Sequence, residues 1–393
     1  MRLILILNAG SSSVKCALMT IDDQGEPHDL ARGSIDGIGQ SAEFSMRFTD
    51  GQPAIKEVMA TGSTPSHKDA LGLILKTVDR LYGLSSLVGA GHRIVHGGPH
   101  FVKPIRLDRA NIEELRKLTP LAPLHQPHNL AAVDSLFELL PNLPQIGCFD
   151  TAFHATMPVI ARNFALPKAL TEKGIRRYGF HGISYNYISK AFAARDPERA
   201  KGRVIVAHLG NGASLCGMIN GQSVVNTMGF SALDGLMMGT RAGTLDPAVI
   251  FYLMREEKMS AEAVEKMLYS QSGLLGVSGL SNDMRTLRKE APNNPDAQLA
   301  LAMFTYRVIR EIGSVAAALN GVDALIFTAG IGENDSALRA DVINGLNYLG
   351  FTLDHDANNR RDILISPSTN PAAFVIPTNE EALIAKATST LLP

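Results

Sequence analysis

The chain has 393 residues, enough for two or three domains of roughly 100–200 residues each. Its 37 basic and 38 acidic residues nearly cancel, which excludes a broad basic face for nucleic acid and an acidic solubilising tail. The three cysteines, Cys16, Cys148 and Cys216, offer neither a disulfide framework nor a C-x-x-C pair. We therefore expect a reducing compartment and no zinc site.

The N-terminal apolar run predicts a buried strand. It covers residues 3–7 and stops at Asn8, whereas a signal peptide needs about 7–15 apolar residues. No stretch approaches the ~18 apolar residues of a membrane span. These patterns predict a cytoplasmic protein with no membrane segment.

Further elements are predicted from hydrophobic spacing and from Gly and Pro positions. In the first half they are strands at 3–7 and 14–19 around a turn at 8–13, hairpin strands within 20–62, helices at 68–82, 109–118 and 129–140, a loop marked by Pro120, Pro123 and Pro127, and a strand at 145–149. In the second half they are strands at 204–207 and 214–219 around a turn at 208–213, a helix at 296–319, a strand at 324–328, a glycine turn at 329–332 and a final helix at 380–391.

The opening pattern recurs 200 residues later, with Gly10 aligned to Gly210 and Cys16 to Cys216. A strand followed by a glycine turn and a returning strand is common, so one such similarity has little weight. A repeat separated by half the chain is nevertheless what a duplicated, two-lobed protein shows.

Three glycine-rich turns, at 8–13, 208–213 and 329–334, each follow a buried strand. Glycine lets backbone N–H groups approach an anion, and Lys15 lies just beyond the first turn. A single turn of this kind is also typical of a tight hairpin, but three in a repeated setting favour phosphate binding. None matches the P-loop, and the acidic residue of a dinucleotide site is missing.

Four polar residues in apolar or glycine-rich surroundings are candidates for chemistry. Arg93 and Arg241 lie near glycines, where a guanidinium group either makes a loop ion pair or binds carboxylate or phosphate. Asp150 ends a strand, where a carboxylate caps the next segment, binds metal or positions a nucleophile. His181 fits a core histidine as well as a site residue, and no histidine spacing indicates zinc.

Eight segments, spread over nearly the whole chain, resemble the motifs of the acetate kinases. They are residues 8–15, 93–98, 149–154, 178–184, 208–212, 238–241, 328–334 and 377–381. The resemblance implies reversible phosphoryl transfer from ATP to acetate, which gives acetyl phosphate and ADP. It also implies dependence on Mg²⁺, with Mn²⁺ as a substitute, and a homodimer.

The same resemblance implies the fold, since acetate kinases share a superfamily with sugar kinases, heat-shock chaperones and actin. We expect an α/β protein of two duplicated actin-like (ribonuclease H-like) lobes around a nucleotide cleft. The N-terminal lobe is expected to span 1–149, joined by the C-terminal helix 380–393. The second lobe, 150–379, is expected to bind the nucleotide.

Matching positions carry the family's roles over to this chain. Asn8 and Glu380 match metal-associated residues, and Asp150, His181 and Arg241 match catalytic residues. The residues matched to substrate binding are Arg93, which matches the carboxylate-binding arginine, with Val95, Leu124, His125, Phe180 and Ala232. The residues matched to nucleotide binding are Lys15, His208, Leu209, Gly210, Asn211, Gly212, Asp283, Met284, Arg285, Gly330, Ile331, Gly332, Glu333 and Asn334.

One position departs from the family pattern. The acyl pocket commonly carries proline where this chain has Ala232, which opens a small volume. A propionate or butyrate kinase is therefore the alternative within the enzyme class. Outside the acyl kinases, two alternatives remain: a chaperone- or actin-like ATPase and a nicotinamide-dependent dehydrogenase. Phosphate appearing on a small carboxylate would exclude the ATPase, and nucleotide binding restricted to NAD would favour the dehydrogenase.

Overall fold

The computed structural model describes residues 1–58, 65–369 and 371–392. The chain forms two compact units, Met1–Ala152 with Asn379–Pro393 (unit 1) and Phe153–Thr378 (unit 2). Residues 59–62 of the expected hairpin region and Pro393 of the expected last helix lie outside the described residues.

Unit 1 is built on an eight-stranded sheet. Its strands are β1 (Leu3–Ala9), β2 (Ser13–Ile21), β3 (Pro27–Asp36), β4 (Glu43–Phe48), β5 (Ile55–Val58), β6 (Leu87–Ile94), β7 (Ile105–Arg106) and β8 (Gln145–Phe149). Its first helices are α1 (His67–Tyr82), α2 (Arg109–Arg116) and α3 (Gln126–Leu139), with 3₁₀ turns at Leu84–Ser86 and Thr119–Leu121.

Unit 2 is built on a five-stranded sheet. Its strands are β9 (Arg203–Leu209), β10 (Ala213–Ile219), β11 (Gln222–Asn226), β12 (Ala324–Thr328) and β13 (Ala372–Val375). Its helices are α4 (Val159–Arg162), α5 (Lys168–Glu172), α6 (Gly182–Arg195), α7 (Pro197–Ala200), α8 (Pro247–Arg255), α9 (Ala261–Ser270), α10 (Gly273–Ser278), α11 (Met284–Glu290), α12 (Pro295–Ala318), α13 (Ala329–Asn334), α14 (Ser336–Gly345) and α15 (His355–Arg360). A 3₁₀ turn at Asn347–Leu349 also belongs to this unit, and another, Ala152–Thr156, begins at the last residue of the first part of unit 1.

The two sheets share one topology. The strand order β3-β2-β1-β6-β8 in unit 1 is repeated as β11-β10-β9-β12-β13 in unit 2. In both, the first three strands are antiparallel and the last three are parallel. The aligned strands β1 and β9 lie at the centre of each order, and both are buried along most of their length. The prediction of two duplicated α/β lobes is confirmed.

The last helix, α16 (Glu380–Leu391), packs on the sheet of unit 1 although it follows unit 2 in the chain. Two glycines on β6 make this packing possible. A Cβ atom at Gly89 would lie 2.6 Å from Leu392, and one at Gly91 would overlap Thr388. A residue larger than glycine at position 91 would therefore displace α16, while at position 89 the Leu392 side chain would have to move.

Two local predictions are wrong. Pro127 lies in the first turn of α3 and not in a loop, because proline is tolerated there, where its missing N–H has no helical partner. The third glycine turn is the short helix α13. Glu333 Oε1 accepts the Ala329 N–H at 2.8 Å and the Thr378 N–H at 3.1 Å, which holds the segment in place.

Within the described ranges 1–58, 65–369 and 371–392, no helix has the length and apolar character that a membrane crossing requires.

Candidate functional site

In unit 1, the carboxyl ends of two parallel strands bring Arg93 and Asp150 together. Arg93 lies on β6 and Asp150 follows β8, the neighbouring strand. Arg93 Nη2 donates to Asp150 Oδ2 at 2.7 Å, and Arg93 Nε donates to the same oxygen at 3.0 Å. The Asp150 side chain is 1% exposed and that of Arg93 is 25% exposed. Arg93 therefore does make an ion pair, and its partner is a second predicted site residue.

Two more predicted residues lie against the same guanidinium group. Arg93 Nη1 is 3.5 Å from Asn8 Oδ1, and Arg93 Nε is 3.7 Å from Glu380 Oε2. Burial raises the pKa of Glu380 to about 7, opposed by the charge of Arg93 and reinforced by Asp150. Lys15 lies on β2 directly opposite Asn8 in the sheet register. Unit 1 thus gathers Arg93, Asp150, both residues matched to metal binding and one matched to nucleotide.

The oxygen donors in this group suit a hydrated Mg²⁺ better than a metal held by protein alone. In the part of the chain that the structure describes, no three His, Cys, Asp or Glu side chains converge as a metal site. Mg²⁺ usually keeps several waters and binds one or two carboxylates together with substrate phosphates. Asn8, Asp150 and Glu380 supply two carboxylates and an amide oxygen. The residues present fit that ion.

The other residues of unit 1 that the sequence predicts to bind substrate lie near Arg93 in the sequence or at the start of α3. Val95 is 7% exposed, and its N–H donates to Asn129 Oδ1 at 2.9 Å. His125 is the residue before α3, and Leu124 is 46% exposed. Val95 is therefore a fixed, buried position, while Leu124 presents an apolar side chain at the surface of the unit.

In unit 2, the start of α6 and the strand β9 place two histidines face to face. His181 precedes α6 in the left-handed region, with φ of 57°. Its ring stacks on that of His208, with centroids 4.1 Å apart and an interplanar angle of 18°. His181 Nδ1 lies 2.8 Å from Ser214 Oγ, and His208 Nδ1 lies 2.9 Å from Ser184 Oγ. The Nδ1 side of each ring is thus fixed by a serine hydroxyl.

The remaining nitrogen of His181 and the guanidinium of Arg241 converge at Gly212. A Cβ atom built on Gly212 would lie 3.2 Å from His181 Nε2 and 3.9 Å from Arg241 Nη1. Arg241 Nη1 also donates to the Ala232 carbonyl at 2.9 Å, so a predicted acyl-pocket residue helps to hold it. A guanidinium group and a histidine nitrogen beside a glycine backbone form a suitable surface for an anionic group, provided that the nitrogen carries hydrogen.

A cavity of about 820 Å³ in unit 2 is lined by most of the residues matched to nucleotide binding. Those in its wall are Gly210, Asn211, Asp283, Met284, Arg285, Gly330, Ile331 and Asn334. His208 and Leu209 are buried on β9, and the Glu333 carboxylate faces the backbone of its own segment. The volume is sufficient for a mononucleotide.

Six residues in the wall of this cavity were missed by sequence reasoning. They are Asn282, Arg288, Asp335, Ser336, Ala337 and Arg361. Asp335 had a detectable signal, since it is an N-cap residue in front of α14, and it also binds Arg288 Nε at 2.7 Å. Arg361 had no such sequence signal, because it hydrogen-bonds Asn334 from 27 residues away.

Phe180, the last predicted pocket residue, is held by a buried histidine. His154 Nε2 donates to the Phe180 carbonyl at 2.9 Å, since a carbonyl oxygen can only accept. His154 Nδ1 therefore accepts from Ser223 Oγ at 2.8 Å. Burial lowers the pKa of His154 to about 4, so the ring is neutral in the folded protein at neutral pH.

This pKa predicts a loss of stability in acid. Between pH 6.5 and 4 the unfolded chain binds a proton at His154 and the folded chain does not, so stability present above pH 6.5 is lost as pH falls towards 4. The full effect is roughly 3 kcal/mol. Urea unfolding at pH 7 and pH 4.5 should show a smaller acid loss for His154→Gln than for the unaltered protein. Equal losses would contradict the assignment.

Comparison with known proteins gives the family. A sequence profile of the acetokinase family matches residues 3–386. An acetate kinase of Rhodopseudomonas palustris is 47% identical over 394 residues, which cover 98% of this chain and 96% of the relative. A Rickettsia felis acetate kinase is 42% identical over 387 residues, 98% of this chain and 97% of the relative. The chain belongs to the acetokinase family, as the eight motifs predicted.

Solved structures agree with this assignment. A propionate kinase from Francisella tularensis superposes with a TM-score of 0.93 at 37% identity, and an acetate kinase of Porphyromonas gingivalis with 0.90 at 35% identity. Both cover 100% of this chain and of their own. The fold is therefore that of the short-chain acyl kinases, with both acetate and propionate enzymes among its neighbours.

Proposed function

We propose that this protein catalyses reversible, direct in-line phosphoryl transfer from ATP to acetate, giving acetyl phosphate and ADP. The observation that carries the proposal is the Arg93 guanidinium, clamped along one edge by buried Asp150. A clamped guanidinium has a fixed orientation, and its planar fork matches a carboxylate. Family membership supports the same reaction.

The acceptor explains why no general base is required. A simple carboxylic acid has a pKa of about 4–5, like Asp or Glu, so acetate is already an anion at neutral pH. Arg93 would bind this carboxylate and reduce its repulsion from the triphosphate. Asp150 then serves as a positioning group for Arg93 and the metal and not as a proton acceptor.

The groups of unit 2 would act on ATP, the other reactant. The 820 Å³ cavity would hold the nucleotide. Arg241 and His181, which converge beside Gly212, would donate hydrogen bonds to the transferring phosphoryl group as its charge spreads in the transition state. Lys15 would add a positive charge near the phosphates.

Asn8 and Glu380, with Asp150, would hold Mg²⁺, for which Mn²⁺ would substitute. The ion supplies charge neutralisation on phosphate oxygens when bound. Glu380→Ala should raise the Mg²⁺ concentration for half-maximal activity by roughly tenfold, with less change in the KM for acetate. Glu381→Ala is the matched control, since Glu381 is the next residue and pairs with Arg32 at 3.3 Å. An unchanged Mg²⁺ titration in Glu380→Ala would mean that Glu380 only stabilises the N-terminus of α16.

The activity itself is tested by trapping the product. The protein is incubated with ATP, Mg²⁺ and acetate, and hydroxylamine converts acetyl phosphate to a coloured hydroxamate. We expect hydroxamate in proportion to the ADP formed. Release of inorganic phosphate at the same rate with and without acetate would instead identify an ATPase.

A propionate kinase is the second candidate, favoured by the Francisella tularensis neighbour and by Ala232 in place of proline. One methylene in an apolar pocket is worth about 1–3 kcal/mol, so we expect acetate to remain the better substrate, with propionate used appreciably. The test compares kcat/KM for acetate, propionate and butyrate. A preference for propionate would correct the substrate and keep the chemistry.

Val95 should limit the length of the acyl chain. Removing two methyl groups in Val95→Ala should shift the kcat/KM ratio towards propionate by roughly tenfold, about 1.4 kcal/mol. Ala232→Pro, which restores the residue common in the family, should shift the ratio the other way. If Val95→Ala leaves the ratio unchanged, Val95 does not contact the acyl chain.

The domain boundaries at 149/150 and 379/380, the homodimer and the cytoplasmic location also belong to this proposal. The compact units Met1–Ala152 with Asn379–Pro393 and Phe153–Thr378 support boundaries close to those positions. Sedimentation velocity at micromolar concentration would test the dimer directly.

A further inference from the structure

Two buried hydroxyl groups behind His181 have no role in the mechanism above. Ser214 Oγ lies 2.8 Å from His181 Nδ1, and Tyr185 OH lies 2.6 Å from Ser214 Oγ. The Tyr185 and Ser214 side chains have no exposed surface. The three side chains form a continuous hydrogen-bonded chain from the interior of unit 2 to the ring of His181.

The direction of these bonds decides which nitrogen of His181 carries hydrogen. Burial raises the pKa of the Tyr185 phenol well above its usual value, so the phenol keeps its hydrogen. A buried hydroxyl must donate that hydrogen. The Asn226 side chain also hydrogen-bonds the phenol and lowers its pKa, as a donor does, while Asn226 Oδ1 accepts the Met228 N–H, so Ser214 Oγ at 2.6 Å is the acceptor. The hydrogen of Ser214 then points to His181 Nδ1, which accepts it. A neutral ring that accepts at Nδ1 carries its hydrogen on Nε2.

The Nε2 atom is the one that lies beside Gly212, 3.2 Å from where a Cβ would be. With hydrogen on Nε2, the ring presents a donor to an anion at that position. In the other tautomer the Nε2 lone pair would face the anion and repel it. The stack on His208 also disfavours a charge on both rings.

We infer that Ser214, oriented by Tyr185, is a positioning residue that keeps His181 in the Nε2–H form, so that it donates a hydrogen bond to the transferring phosphoryl group. The hydrogen bond to the phosphoryl group rests on the proposed function. The tautomer itself can be measured without turnover.

The first measurement is two-bond ¹H–¹⁵N correlation on protein labelled with ¹⁵N-histidine, with His181 assigned by its absence in His181→Asn. We expect the Nε2–H form in the unaltered protein and a mixture of tautomers in Ser214→Ala. The Nδ1–H form in the unaltered protein would overturn the inference.

The second measurement is kinetic. Ser214→Ala should lower kcat roughly tenfold and leave the KM values for ATP and acetate within about twofold, because the donor and not the binding surface is disturbed. Tyr185→Phe should give a smaller loss of the same kind, since Ser214 remains but is free to rotate. Ser189→Ala is the control, because it removes a hydroxyl from α6 that donates to the Gly221 carbonyl. An unchanged kcat in Ser214→Ala would overturn the positioning role.

These outcomes separate the two proposals. If the unaltered protein forms no acetyl phosphate, the proposed function fails while the spectra still report the tautomer. If it is active and His181 is found as Nδ1–H, only the further inference fails.

Discussion

Arg241→Ala should lower the kcat for phosphoryl transfer at least ~100-fold. Arg241 Nη1 and His181 Nε2 converge beside Gly212, and the Ala232 carbonyl holds the guanidinium group at a distance of 2.9 Å. Loss of a preorganised, charge-assisted donor from a transition state costs roughly 3 kcal/mol. The measurement is steady-state kinetics in both directions, with thermal unfolding of each variant recorded alongside.

Arg310→Ala is a matched control for this change in the same unit. Its side chain is 47% exposed and pairs with Glu311, so kcat should stay within about twofold. Near-normal turnover in Arg241→Ala would remove Arg241 from the mechanism. A similar loss in Arg310→Ala would show that kcat responds to any arginine removed from unit 2.

Arg93→Ala should also lower kcat at least ~100-fold, and in addition it should destabilise unit 1. Asp150 is 1% exposed, and its charge is balanced by the Arg93 guanidinium at 2.7 Å. Removing one partner of a buried ion pair typically costs about 3–5 kcal/mol, because the other charge is left unpaired. The measurements are kcat and urea unfolding. Arg93→Lys should rescue activity poorly, because an ammonium lacks the planar fork.

A double-mutant cycle separates these two effects. Asp150→Asn removes the buried charge, so Arg93→Ala in that background should cost much less stability than it costs alone. Activity should stay low in both. Arg116→Ala, a half-exposed arginine on α2, controls for general effects in unit 1. A normal kcat in Arg93→Ala would exclude Arg93 as the carboxylate ligand.

Sequence patterns predicted the strands whose residues are buried in continuous runs, and the last helix, which buries Ile384, Ala385 and Thr388 on one face. The bounds of β8, β12 and α16 agree residue for residue with the predicted segments, and β1 and β9 extend theirs by two or three residues. The pattern failed at α13, because its glycines indicate a turn. One of the two backbone N–H groups that hold Glu333 belongs to Thr378, 45 residues away. The helix α8 was missed as well: its apolar residues run without interruption from Ala248 to Met254, and none of them is buried.

The candidate site likewise has features that the sequence predicts and features that only the structure shows. Residue type and motif were sufficient to select Arg93, Asp150 and His181. Their partners were not predictable, because Arg93 meets Asp150 across 57 residues and His181 meets Ser214 across 33. Such pairs are set by the order of strands in a sheet and by how helices pack on it, which a local pattern does not contain. The ion pair of Arg93 and the tautomer of His181 therefore required the structure.

The return of α16 to the sheet of unit 1 has a consequence for synthesis of the protein. The ribosome completes all of unit 2 before it makes Asn379–Pro393. Until that segment emerges, the glycine-lined surface of β6 at Gly89 and Gly91 has no helix to cover it, and Glu380 is absent from beside Arg93. Unit 1 cannot reach its final packing until α16 has been made, which comes after all of unit 2. Interrupted translation then leaves a chain with an intact unit 2 and an incomplete unit 1.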